Sequence, residues 1–251
     1  MGRKPRWIEN SLKNGIKTIT LSSWKYFHDY LQEELLDYKN YVFRGQRDEH
    51  WKLEPSINRH YNKTGIVDFQ KLSQKHLDNF KFSLRGRFSN LREIINDENE
   101  LWALGQHHGL VTPLLDFTFS PYAAAYFAFF EKDNPNSRYR IVYAISQNAI
   151  EKQIDDQLNV YKPISDHNSR LLNQSGLFVK FESNLDIETL FKQKFELDEP
   201  KHKLIIIRIP NTNRDTVLKM LNKMNINHNT LFPDIEGTSI FTNMQLEIGN
   251  Y

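Results

Sequence analysis

The sequence contains no cysteine. That absence removes disulfide scaffolds, thiolate zinc sites, iron–sulfur clusters and cysteine nucleophiles together, and it fits a reducing compartment. A strong charge of one sign is missing too. Lys+Arg 33 against Asp+Glu 31 leaves a formal net charge of +2, so attraction to nucleic acid or an acidic membrane surface by bulk charge is not expected. The longest apolar stretch, Tyr122 to Phe130, falls far short of the ~20 residues needed to span a bilayer. The basic start, Gly2-Arg3-Lys4-Pro5-Arg6-Trp7, leads into Ile8-Glu9-Asn10 and does not read as a signal peptide. A cytoplasmic protein with no membrane partner is the expectation. Several enzyme signatures are absent as well: there is no phosphate loop with Lys and Ser/Thr, no Gly-x-Gly-x-x-Gly, no Gly-x-Ser-x-Gly elbow and no His-Glu-x-x-His.

What is present is an ordinary globular composition, 251 residues with 39% hydrophobic and 13% aromatic content and a mean hydropathy of −0.63. The reading is a polar segment over 1–19 followed by a single domain over 20–251, without internal repeats. Trp24, Phe27, Leu31 and Leu35 recur at helical spacing behind Ser22 and Ser23, which are candidate caps. Thr18-Ile19-Thr20 and Asn40 to Arg44 read as short strands, the second ending at Gly45, and Trp51-Lys52-Leu53 alternates before Pro55. Helices are expected from Ile66 to Arg85 and from Asn96 or Asp97 to Gly109, the latter exposing Glu98 and Glu100 in its first turn. Ser120 and Pro121 should open a buried helix over Tyr122 to Phe130.

Asp133 to Ser137 is the clearest surface turn. Beyond it, Tyr139 to Ile145, Leu177 to Phe181 and the very apolar Leu204 to Ile209 read as strands, the last at a sheet centre. Ile150 to Leu158, Ile187 to Phe191, Arg214 to Met224 and Thr238 to Leu246 read as helices. The fold class that follows is α+β, a mixed sheet packed by helices.

Chemistry concentrates in two segments. In Phe43-Arg44-Gly45-Gln46-Arg47 a strand delivers a guanidinium and an amide, and Gly45 permits close approach of another backbone or a ligand. Arginine's planar fork suits phosphate or carboxylate, although an Arg44 that merely ties loops to backbone carbonyls fits the same residues. The second segment, Gln106 to Pro121, gathers two imidazoles, an amide, the carboxylate of Asp116 and three hydroxyls beside a helix N-terminus, a natural place for an anion. Adjacent histidines on a helix diverge by about 100°, so His107 and His108 are not expected to share a metal ion. Glu199-Pro200-Lys201 reads as a solvated connector.

These segments resemble the FRG domain, a bacterial and phage family named for its Phe-Arg-Gly signature. The resemblance rests on Phe43-Arg44-Gly45-Gln46, on Gln106-His107-His108-Gly109-Leu110 with Thr112, on Leu114 to Thr118, on Ser120-Pro121 and on Ala125 to Ala128. Gln174 to Phe178 and Leu231 to Gly237 extend it, so that it runs from about Thr20 to about Phe241. Pro113 and Phe117 depart from it, standing where a basic residue and a tryptophan are commoner. The resemblance implies a phage-defence or toxin-type effector.

The layout is also similar, more distantly, to the ADP-ribosyltransferase plan, which implies NAD as cofactor or substrate and a protein or nucleic-acid acceptor. In that plan Arg44 clamps phosphates, with Gly45, Gln46 and Ser120 alongside, and Thr118 lies on the hydroxyl strand. Gln174 falls where a glutamate usually acts, and Asp116, or Asp234 with Glu236, would have to supply the missing charge. Three alternatives stay open at this point. One is a nucleic-acid or nucleotide hydrolase with His107 and Asp116 as its acid–base pair. Another is a non-catalytic nucleotide-binding module stacking bases on Trp51 or Trp102, and the third is a protein-binding module.

Overall fold

The computed structural model describes residues 5–37, 40–64, 68–87, 94–132, 136–154, 156–163 and 172–251. The expected start of a helix at Ile66 and most of the turn at 133–137 lie outside these residues. An eight-stranded mixed sheet forms the centre. Its strands in chain order are β1 (Trp7–Glu9), β2 (Ile16–Leu21), β3 (Tyr41–Gln46), β4 (Leu114–Thr118), β5 (Tyr139–Ser146), β6 (Leu158–Tyr161), β7 (Gly176–Phe181) and β8 (Leu204–Pro210). Their spatial order is β1-β2-β8-β5-β3-β4-β7-β6, with β2 and β8 parallel and every other pair antiparallel. The polar opening segment thus supplies β1 and the first four residues of β2. Strand β8 is flanked on both sides, as its unbroken apolar run requires.

Helices cover both faces: α1 (Tyr26–Tyr30), continued by a π-helical turn over Leu31–Leu35, α2 (Ser56–Thr64), α3 (Phe69–Ser83), α4 (Glu98–His107), α5 (Pro121–Phe130), α6 (Gln147–Gln153), α7 (Ile187–Lys194), α8 (Arg214–Lys223), α9 (His228–Leu231) and α10 (Ile235–Glu247). This is the expected α+β arrangement of a mixed sheet packed by helices. One face of the sheet buries α1, α5, α8 and α10 against Ile19, Phe43, Val142 and Ile207. Its other face buries α6 and α7 against Val42, Tyr143, Val179 and Ile206. A third cluster joins α2, α3 and α4 over Leu114 and Phe178.

Caps explain where several helices begin. The Asp97 carboxylate accepts from the amides of Asn99 and Glu100, and the Ser120 hydroxyl accepts from Ala123 with Pro121 at the first helical position. Helix α4 ends before Gly109, whose φ of +85° is the left-handed conformation expected there. Other expectations need correction. Ser22 and Ser23 do not cap α1 with their side chains, since the Ser22 hydroxyl donates instead to the Arg6 carbonyl and the helix starts at Tyr26. Glu100 is buried rather than exposed and accepts from the Tyr161 hydroxyl at 2.5 Å. Trp51-Lys52-Leu53 is irregular, and Leu158 opens β6 instead of closing a helix. Gly45 lies inside β3 rather than after it. Among the described residues, no helix is long and apolar enough to cross a membrane.

Helix α5 is buried along most of its length, so its last carbonyls cannot turn to water. Two arginines meet them. Arg140, fully buried, donates through Nη1 to the carbonyls of Ala128 and Glu131 and through Nε to Asn211 Oδ1 at 2.7 Å. Arg214 donates to the carbonyls of Phe129 and Phe130 and to Glu247 at 2.8 Å. The cations also match the negative end of the helix dipole. Replacing Arg140 with Met strands these acceptors in the interior, and a loss of about 3 kcal/mol is expected. Urea unfolding followed by tryptophan fluorescence reads it directly.

Candidate functional site

Strands β3 and β4 meet at one register pair, Phe43 with Thr118. Beyond it β3 stays with β5 as far as Gln46, while β4 stays with β7 as far as Leu114. The sheet therefore splits between Arg44 and Asp116. Arg44 reaches across the gap, its Nη1 donating to the Asp116 carbonyl at 2.7 Å and lying 3.6 Å from Asp116 Oδ2. Its Nε is buried with no hydrogen-bond partner. A buried donor without an acceptor is costly, which marks this guanidinium as incompletely satisfied by the protein itself.

A cavity of about 280 Å³ opens at the split, lined by Phe43, Arg44, Gly45, Asp116, Phe117 and Thr118, with Ala124, Phe127, Gln174 and Phe232 completing the wall. Burial pulls the Arg44 guanidinium below its ordinary value, the Asp116 carboxylate opposes that fall, and the neighbouring positive charge of Arg59 adds to it. The Asp116 side chain is 56% exposed, so the pair is open to solvent on the carboxylate side.

The sequence-derived candidates separate cleanly. Arg44, Gly45, Asp116, Thr118 and Gln174 line one cavity although they come from three distant parts of the chain. Thr118 is already engaged: its hydroxyl donates to the Gln174 carbonyl at 2.6 Å and accepts from the Ser120 amide at 2.9 Å, tying the end of β4 to the start of β7. The Gln174 amide donates to the Leu231 carbonyl at 3.1 Å. Ser120 caps α5, and Gln46 is buried beside the 52–53 loop, where its amide donates to the Lys52 carbonyl at 3.3 Å. Neither lines the cavity. Gly45 provides close approach to protein and not to a ligand, because the space its Cβ would take is filled by the Ala124 carbonyl of α5.

His107 does not line the cavity either. It is exposed at the end of α4, edge-on to His108 with ring centroids 5.0 Å apart. The residue that reaches Asp116 is the preceding one, Gln106, whose Nε2 donates to Asp116 Oδ1 at 2.9 Å. Sequence reasoning read Gln106 as part of the motif without a role. Its spacing carried the signal, since residues one apart on a helix point about 100° away from each other and only one of the two can face Asp116. Trp102 is buried in the third cluster, and the Arg47 guanidinium lies 4.9 Å from the ring centroid of Trp51, so neither ring belongs to the cavity. Phe127 and Phe232 are the rings that do, stacked edge to face at 6.0 Å. Asp234 caps α10 through the Gly237 amide, leaving Asp116 as the carboxylate among the lining residues.

Comparison with known protein families matches residues 39–137 to the FRG domain. Searches of curated proteins and of solved structures each returned no match. The FRG match holds β3, β4 and α5, and with them Phe43, Arg44, Gly45 and Asp116. Gln174 and Phe232, which close the cavity, lie beyond the matched FRG residues. The three residues of the FRG signature act separately. Phe43 packs into the core under α5, Arg44 bridges the split, and Gly45 lets α5 approach β3.

Proposed function

We propose that this protein binds a nucleotide-type ligand in this cavity, NAD first among candidates, and cleaves its nicotinamide–ribose bond. The supporting observation is the Arg44 guanidinium, buried at Nε without a partner, in a cavity that also presents the Asp116 carboxylate. A guanidinium of this kind suits a phosphate oxygen, and a carboxylate suits positive charge developing on a ribose ring. At about 280 Å³ the cavity takes a nucleoside-sized part of a dinucleotide, with the remainder outside.

In the proposed reaction the C1′–N bond breaks with its electron pair leaving on nicotinamide, which departs neutral. The ribosyl oxocarbenium left behind faces Asp116. A nucleophile from a protein or nucleic-acid acceptor, or water, forms the new bond to C1′ and releases a proton. Arg44 fixes the phosphates, Gln174 orients a ribose hydroxyl, and Phe127 and Phe232 form the apolar wall. The cellular role that goes with this chemistry is a cytoplasmic phage-defence or toxin-type effector in bacteria. The exposure of His107 outside the cavity argues against the hydrolase reading built on a His107–Asp116 pair.

The test is nicotinamide release from NAD by the purified protein, measured by chromatography, with Asp116→Asn beside the wild type. The expected result is release by the wild type and a fall of about 100-fold in kcat in Asp116→Asn, with affinity nearly unchanged. Absence of NAD binding by calorimetry would sink the proposal. Saturable binding with NAD recovered intact would replace it by a non-catalytic nucleotide-binding role.

A further inference from the structure

The Asp116 carboxylate is held by a polar chain that starts well outside the cavity. At its far end the Ser56 hydroxyl, at the start of α2, accepts from the Thr112 amide at 2.9 Å and donates to the Thr112 carbonyl at 3.3 Å. Thr112 is fully buried, and its hydroxyl accepts from the Leu114 amide at 3.3 Å. The hydroxyl proton is thereby left for Gln106 Oε1, to which Thr112 donates. With Oε1 occupied in this way, Nε2 of Gln106 faces Asp116 Oδ1. The order of donors and acceptors is forced at each joint, because an ionised carboxylate only accepts and an amide has one accepting and one donating end. Gly109 makes the geometry possible, its left-handed backbone folding the chain back so that residues 112 and 116 lie beside the last turn of α4.

We infer that Gln106 is a positioning residue for Asp116, with Thr112 setting which way its amide points. This rests on the reading of Asp116 as the group that faces the ribosyl cation. The chain pins Oδ1 from the protein side, so that Oδ2 is the oxygen turned toward Arg44 and the ligand. A carboxylate free to rotate would divide its time among orientations, and misplacement by about 1 Å can cost on the order of 100-fold in rate.

Thr112→Val tests this without touching the cavity, since it keeps the shape and removes the hydroxyl that orients the amide, together with its long bond from the Leu114 amide. The expected result is a kcat for NAD cleavage reduced about 10-fold with KM changed less than about 2-fold, and recovery of kcat in Thr112→Ser. Nuclear magnetic resonance supplies a readout independent of turnover. In the wild type and Thr112→Ser the side-chain amide protons of Gln106 should exchange slowly and give two resolved signals, and in Thr112→Val they should exchange fast. Unchanged kcat in Thr112→Val, or an unchanged Gln106 signal, would overturn the inference. If the wild type cleaves no NAD, the reaction fails while the amide signal still decides whether Thr112 sets the amide. Should Thr112→Val not fold, Gln106→Glu, which sets carboxylate against carboxylate, takes its place, and an unchanged kcat there overturns the positioning role.

Discussion

Gly45→Ala is expected to cost at least about 3 kcal/mol, the upper end of the overpacking range, and to leave little folded protein at 37 °C. The added Cβ would sit 1.8 Å from the Ala124 carbonyl oxygen and 2.7 Å from the Ala128 amide nitrogen. Both are backbone atoms of a buried helix, so no side chain can swing away to make room. Helix α5 would have to lift from β3, opening the packing of Ala124, Ala128 and Phe43 together. The φ of Gly45 is not positive, so the penalty comes from space alone and not from backbone conformation. Chemical denaturation gives the measurement. A variant as stable as the wild type would mean that α5 does not press on β3 at this point.

Arg44→Ala should lower affinity for NAD about 100-fold while the protein stays folded, since a hydrogen bond to a charged group contributes about 1.5–3 kcal/mol and the guanidinium offers more than one. Arg44→Lys should recover only part of this. An ammonium presents all its donors from one nitrogen, whereas the guanidinium spends Nη1 on the Asp116 carbonyl and keeps donors on two further nitrogens. Calorimetric titration of both variants, with circular dichroism to confirm folding, reads the effect. Equal affinity in Arg44→Ala and wild type would remove Arg44 from ligand binding altogether.

Much of the fold could be read from local chemistry. Asp97, Ser120 with Pro121 and Gly109 bound their helices because caps depend on neighbours three or four positions away. The apolar run at Leu204 announced an interior strand for a similar reason. What escaped depended on distant partners. Strands β1 and β6 are short and take their shape from β2 and β7, and Glu100 is buried where Tyr161 comes to meet it. The site shows the same division. Arg44 and Asp116 stand out as residue types, but the split that brings them together is a property of two strands parting, which no stretch of either strand encodes. The choice between Gln106 and His107 turned on the rotation of α4 about its axis, and that is fixed by Leu101, Trp102 and Leu104 seated in the third cluster.

The parallel pairing of β2 with β8 also bears on how the chain reaches this state. Ile16 pairs with Leu204, roughly 190 positions apart, so the join belongs to the slow, non-local class of contacts that retard folding. During synthesis Ile19 and Leu21 emerge well before β8, and they wait for that whole intervening stretch before a neighbour arrives on that side. Until then the sheet has an open apolar flank, and association between nascent copies is the hazard it carries.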